Sequence, residues 1–189
     1  MTQKMRVCAF DLGVKNFAVA IESFDRKNLN KEQDDVYMEG TIEFVDKQEL
    51  SSAKGAKVTP KVLKALNAYI QTLLPKLEEC DVILIEKQFK CRGVQNSTCI
   101  HLEHHLYGIL LWALSHTKVK IEVYASRHKT KAFESEKMTK LERKKWTVEE
   151  TTKLLLSRQD YDTLDIFNKK KKDDMADVIM MIQAYKMSL

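Results

Sequence analysis

The sequence predicts an α/β fold: a mixed sheet, an antiparallel hairpin plus parallel strands, flanked by helices. Three observations lead there. Residues 7–11 and 17–21 are short apolar runs with no room for a helix between them, so they read as a strand hairpin with Gly13 near the turn. Residues 82–85 are continuously apolar between Asp81 and Glu86, the pattern of a strand buried on both faces. Between these segments, Val62, Leu63, Leu66, Tyr69, Ile70, Leu73 and Leu74 fall on one helical face, so a helix links the hairpin region to the later strand.

The remaining elements follow in order. Residues 25–35 are polar and charged and read as a loop, residues 36–46 as a third strand, and residues 50–57 as another loop. Thr59 is placed to cap the first long helix with Pro60 at its first position, and Pro75 is expected to kink or end it. Residues 87–96 form a polar loop containing Phe89. Residues 97–115 read as a second helix, apolar on nearly all sides around residues 109–114, and therefore deeply buried or at a subunit interface. Residues 119–125 are a further strand. Residues 127–145 are basic without clear periodicity, Thr147 is placed to cap a helix reaching Leu156, and residues 158–167 read as a loop. Lysines 169–172 give way to Asp173 and Asp174, and an apolar helix runs on from there. No repeat or low-complexity linker divides residues 1–189, so a single domain is expected.

With 44% hydrophobic and 31% charged residues, the composition is that of a globular chain. A net charge of +5 permits a polyanionic partner without requiring one. The four cysteines form no CxxC pair and the N-terminus is polar, so a reducing compartment without a disulfide framework is expected. The longest dense apolar run, residues 109–114, falls far short of the roughly 20 residues of a membrane span, so no membrane association is expected.

Four acids stand where acids are unexpected. Asp11 and Glu86 each end an apolar strand, while Asp174 and Asp177 lie one turn apart at the start of the last helix. Ligands in α/β sheets gather at the carboxyl ends of strands, so these acids could meet there. Crowded carboxylates raise one another's pKa unless a cation neutralises them, and an all-oxygen donor set suits Mg²⁺ or Mn²⁺. Two such ions, about 4 Å apart, activate water and stabilise the leaving oxygen of a phosphodiester. Simpler readings exist: Asp11 as a turn residue, and Asp173 or Asp174 as partners of the helix dipole, each worth about 0.3–1 kcal/mol.

Residues 9–18 (around Asp11, Leu12 and Gly13), residues 83–89 (around Glu86 and Lys87) and residues 171–177 (Asp173, Asp174, Ala176, Asp177) together resemble the motifs of the RuvC-like Holliday-junction resolvases, most closely the poxvirus branch and its mitochondrial fungal relatives. Motif order, spacing and length fit over nearly the whole chain. The resemblance implies a ribonuclease-H-like fold and a homodimer that nicks two opposed strands of four-way branched DNA. It implies Asp11, Glu86, Asp174 and Asp177 as catalytic metal ligands, with adjacent Asp173 able to take one position, and Mg²⁺, two ions per site, replaceable by Mn²⁺, with no small-molecule cofactor. It further implies an aromatic at Phe89 that wedges against junction bases, resolution of concatemeric viral genomes, and a location in the host cytoplasm where poxviruses replicate.

Basic residues near these motifs are candidate phosphate contacts: Lys15, Lys87, Lys90, Arg92, Arg127, Lys129, Lys131, Lys170, Lys171 and Lys172. Such contacts position DNA without reading sequence, leaving selectivity to branch geometry and two-fold symmetry. A zinc site from Cys91, Cys99, His101, His104 and His105 matches no standard spacing. Trp112 and Trp146 read as packing residues. An actin-like ATPase fragment would need a second glycine-rich phosphate loop, which Gly40, Gly55, Gly93 and Gly108 do not supply. Two rival functions stay open: a non-catalytic nucleic-acid-binding module, and a nuclease acting on RNA–DNA hybrids or other branched DNA. The intact carboxylate set argues against the first, and the site chemistry does not separate the second.

Overall fold

The computed structural model describes residues 4–30, 38–53, 57–88, 90–91, 94–95, 97–125, 132–133, 138–169 and 172–189, with the backbone alone at residues 28, 30, 90, 91, 94 and 95. Strands β1 (Lys4–Asp11), β2 (Phe17–Asp25) and β3 (Thr41–Gln48) form an antiparallel meander. Strand β4 (Val82–Glu86) joins β1 in parallel, and a small hairpin of β5 (Lys90–Cys91) and β6 (Val94–Gln95) follows it. Strand β7 (Lys120–Tyr124) joins β4 in parallel, giving one five-stranded sheet in the order β3-β2-β1-β4-β7. This is the expected mixed sheet.

Side chains alternate between the two faces of a strand, and here they divide the interior into two cores. On one face lie Cys8, Phe10, Val19, Ile21, Ile83 and Ile85, covered by α1 (Pro60–Leu77) and α2 (Ser97–Ala113). On the other lie Val7, Ala9, Ala18, Ala20, Val82 and Leu84. The small alanines at the centre of this second face let α5 (Lys172–Lys186) lie close against β1 and β2, with α3 (Lys140–Ser157) and α4 (Tyr161–Lys169) packed behind it. Every residue of α5 from Asp174 to Lys186 is buried except Asp177.

Several boundaries differ from the sequence expectation. In α1, Thr59 caps as predicted, accepting a 3.4 Å hydrogen bond from the Val62 N–H, but the helix runs through Pro75 to Leu77. Only the last turn lies beyond the proline; Leu77 is fully buried and the Glu78 N–H donates to the Leu74 carbonyl at 2.9 Å, which holds that turn in place. Helix α3 begins at Lys140 rather than after Thr147. A capping box sets its start, with the Thr139 N–H donating to Glu142 Oε2 at 2.7 Å and the Glu142 N–H to Thr139 Oγ1 at 3.3 Å. Thr147 lies inside the helix and donates to the Arg143 carbonyl. Most of residues 158–167, expected to be loop, belong to helix α4, which spans 161–169; Asp160 accepts the Thr163 N–H, and Thr163 and Phe167 supply a short buried stripe. Strand β3 starts at Thr41, after Gly40 with its φ of +114°, and residues 26–30 form a 3-10 turn. Trp112 is 81% exposed, so within this chain it is a surface residue rather than a packing residue, whereas Trp146 packs edge-on against Phe133.

Candidate active site

The strand register brings the first two acids together. Phe10 lies opposite Ile85 in the parallel β1–β4 pair, and Asp11 and Glu86 are the next residue on each strand. Neighbouring strands are about 4.8 Å apart. Val7 and Ala9 face the core beneath α5, so Asp11, two residues on, projects on that side; Val82 and Leu84 place Glu86 on the same side. Asp11 also pairs with Ala18, Ala18 with Lys47, and Glu86 with Tyr124. One transverse row of the sheet therefore reads Lys47, Ala18, Asp11, Glu86, Tyr124.

Helix α5 delivers the other acids to this row. Its C-terminal Lys186 reaches Glu22, which lies opposite Val7 on β1, so the helix runs antiparallel to β1 and its N-terminal turn overlies the strand's carboxyl end. That turn carries Asp173, Asp174 and Asp177. Asp174 is buried, and its Oδ2 lies 3.7 Å from Lys47 Nζ, a direct link between the helix and the row. Asp173 instead accepts a 2.7 Å hydrogen bond from Lys144 Nζ on α3. This bond is the main influence raising the Lys144 pKa; partial burial opposes it, and the charges of Asp173, Asp174 and Asp177 add to it. Lys144 therefore binds Asp173 and feels the charge of all three helix acids.

The loop after Glu86 is also held. The Lys87 N–H donates to the Tyr124 carbonyl at 2.8 Å, and the Gln88 N–H to Oε2 of the buried Glu103 at 2.7 Å. Cys99 Sγ donates to the Leu12 carbonyl at 3.1 Å, tying the start of α2 to the turn beyond Asp11. Sequence reasoning did not place Lys47, Glu103 or Lys144 in the site. Glu103, an acid on an apolar helix, is the one whose position in the sequence offered a signal.

All donors in the predicted acid set are carboxylate oxygens, which fit a hard divalent cation. Among the described residues, no three His, Cys, Asp or Glu side chains are gathered closely enough to hold a metal ion as they stand. Two of the helix acids are instead faced by lysines. The zinc alternative gains nothing among the described residues: His101 and His104 are exposed, and His105 Nε2 pairs with Asn67 Oδ1 at 2.9 Å.

Of the predicted basic contacts, Lys87 has an exposed side chain, Lys15 Nζ donates to the Ser52 carbonyl at 3.1 Å, and Lys172 Nζ donates to Asn168 Oδ1 while sitting over the Phe167 ring. Phe89, Arg92, Arg127, Lys129, Lys131, Lys170 and Lys171 lie outside the described residues, as does the side chain of Lys90. No helix among the described residues is long and apolar enough to cross a membrane.

Solved structures share this architecture. The yeast mitochondrial Holliday junction resolvase Ydc2 matches with a TM-score of 0.65 at 20% identity, over 97% of this chain and 78% of that one. RuvC of T. thermophilus, solved in complex with Holliday junction substrate, matches with a TM-score of 0.57 at 13% identity, over 96% of this chain and 94% of that one. The sheet and its helices are thus ribonuclease-H-like, as in RuvC. In sequence, the chain is 29% identical over 221 aligned positions to uncharacterized protein 170L of Invertebrate iridescent virus 6, covering 95% of this chain and 88% of that protein. It is 27% identical over 215 positions to uncharacterized protein 97L of Invertebrate iridescent virus 3, covering 95% and 98%. The family model described as Poxvirus A22 protein matches residues 5–188, and the chain belongs to that family.

Proposed function

We propose that this protein is a structure-selective endonuclease that resolves four-way DNA junctions by paired, symmetric nicks, and that Asp11, Glu86, Asp174 and Asp177 form its catalytic centre. The observation that carries this reading is the transverse row: Asp11 and Glu86 end adjacent parallel strands on the face over which α5 lays Asp174 and Asp177. The two similar solved structures described as a resolvase and as a resolvase–junction complex have this fold, which supports the substrate class.

Asp11 and Glu86 are fixed by backbone pairing, and Asp174 and Asp177 by the burial of α5, so each of the four carboxylates stands on a strand or helix rather than on a loop. Such a set would hold Mg²⁺ or Mn²⁺, two ions in the full arrangement, which supplies charge neutralisation and water activation at the phosphodiester. Asp174 is favoured over Asp173 as the ligand because Lys144 engages Asp173, while Asp174 is buried toward the sheet. Lys15, Lys87 and Lys172, with the basic residues beyond the described set, would meet the phosphates, and Phe89 would meet the junction bases.

Paired nicks on opposed strands call for two sites related by a two-fold axis, so the active species is a homodimer. Membership of a poxvirus family fits a role in resolving genome concatemers in the host cytoplasm.

The test is a cleavage assay with Mg²⁺ or Mn²⁺ on matched four-way, flap, RNA–DNA hybrid and linear substrates. Metal-dependent paired nicking of the four-way substrate is expected, with Glu86→Gln inactive yet able to bind the junction. Equal cleavage of linear duplex would overturn the junction assignment.

A further inference from the structure

We infer that Lys47 is the site's internal counter-ion: an ammonium built into the acid row that occupies Asp174 and competes with the divalent cation for it. The inference rests on the proposed acid site. Register supplies the first support, because Lys47 stands in the same transverse row as Asp11, separated from it only by Ala18. Ala18 is too small to intervene, so a long side chain on β3 can pass over β2 toward the acids. Geometry supplies the second: Lys47 Nζ lies 3.7 Å from Asp174 Oδ2, with only 15% of the lysine side chain and 11% of the aspartate side chain exposed. A lysine on an outer strand ordinarily extends into water; here α4 and α5 pack over β3, and the ammonium is directed to Asp174.

The neighbouring carboxylate shows the contrast. Asp173 has its own cation, Lys144, held by a 2.7 Å hydrogen bond from a different helix. The two adjacent aspartates are thus sorted between two lysines, one from α3 and one from the sheet. Lys144 holds Asp173 by a short hydrogen bond, whereas Lys47 meets Asp174 at a longer distance, suited to exchange for a more highly charged ion. Removing Lys47 removes both a competitor for Asp174 and a repelling charge beside the metal. Even in bulk water, a unit charge about 4 Å from a divalent ion changes the ion's binding about tenfold or more.

The experiment measures Mn²⁺ binding by the full chain without DNA, by calorimetry and by the Mn²⁺ electron spin resonance signal, in wild type, Lys47→Met, Lys47→Arg, Glu86→Gln, Asp174→Asn and the double variant Lys47→Met with Asp174→Asn. Methionine keeps the apolar length of the lysine stem, and circular dichroism checks the fold. Lys47→Met should bind Mn²⁺ about tenfold tighter or more, and Lys47→Arg should bind like wild type. The gain should shrink in the double variant, measured against Asp174→Asn alone, to the part due to repulsion; an undiminished gain would show that Lys47 does not compete for Asp174. Unchanged or weaker binding by a folded Lys47→Met overturns the inference while leaving the acid site standing, provided wild type binds Mn²⁺ and Glu86→Gln loses it. If Lys47→Met does not fold, Lys47→Gln takes its place with the same expected gain. If wild type binds no Mn²⁺, the acid site itself fails and the inference falls with it.

Discussion

Lys186 and Glu22 form an ion pair of 3.0 Å in which both side chains are completely buried. The same carboxylate is reached by Arg158 at 3.1 Å and by the Gln183 amide, and both cations also donate to the Glu39 carbonyl. This cluster joins β2, the end of α3 and the C-terminal turn of α5. Removing one partner of such a set strands buried charge, so Glu22→Gln is expected to cost about 3–5 kcal/mol of stability, read from urea unfolding followed by circular dichroism. A loss under about 1 kcal/mol would show that the cluster is dispensable.

Gly40 depends on the same cluster. Its φ of +114° disfavours any side chain, and a Cβ there would collide with the Glu22 carboxylate. Gly40→Ala should therefore destabilise the chain by at least about 1 kcal/mol from backbone strain alone, with the displaced carboxylate adding to it. Gly108, where a Cβ meets nothing within 4 Å, is the control; Gly108→Ala should leave stability equal or raise it by up to about 1 kcal/mol, as alanine favours helix. Equal melting shifts for the two variants would contradict this account.

Asp173 and Asp174 should separate in kinetics. Asp174→Asn is expected to abolish metal-dependent cleavage. Asp173→Asn and Lys144→Met remove a supporting pair rather than a ligand and should each cost about 10–100-fold. Single-turnover rates on a four-way substrate distinguish them, and the reverse ranking would make Asp173 the ligand.

The proposed DNA contacts of the lysines are testable by salt dependence. Lys87→Ala should lower the slope of log affinity against log salt by roughly 0.9 for each phosphate left without its cation, on a junction bound without cleavage in Ca²⁺. Lys15 must release the Ser52 carbonyl and Lys172 must release Asn168 to do the same, so their alanine variants should give smaller changes. A slope unaltered in all three would place the DNA elsewhere.

The buried thiols give a pH test. Burial is the main cause that pushes Cys80 up from its ordinary 9.0 to about 12, and burial also raises Cys8. Each thiol therefore keeps its proton longer in the folded chain than in the unfolded one. Their contribution to stability is intact below about pH 9 and declines as pH climbs toward the raised values. Alkylation of Cys8 and Cys80 at about pH 8–9 should follow global unfolding rather than thiolate formation, which peptide mapping after timed iodoacetamide treatment resolves. Rapid modification of either in folded protein would contradict their burial.

What the sequence made legible follows from how far each signal had to reach. Asp11 and Glu86 were visible because each interrupts an apolar run, a local contrast, and Asp174 and Asp177 because helical spacing aligns them. Lys47 gave no such signal: its place in the row depends on the β2–β3 register, set by pairing far from Asp174 in sequence. Helix α4 was hidden because only Thr163 and Phe167 of its nine residues are buried, too few to show a period. The basic opening of α3 concealed its start, although the capping residues Thr139 and Glu142 were present to be read. Glu22 looked like an ordinary strand polar residue, since its partners Arg158 and Lys186 arrive only once the chain has closed.

Helix α5 both seals one face of the sheet and brings two of the proposed catalytic acids. During synthesis its residues emerge after every strand of the five-stranded sheet has left the ribosome. A nascent chain stopped before residue 172 would expose the alanine-lined sheet face and lack Asp174 and Asp177. Completion of the hydrophobic core and assembly of the acid row are therefore a single late event.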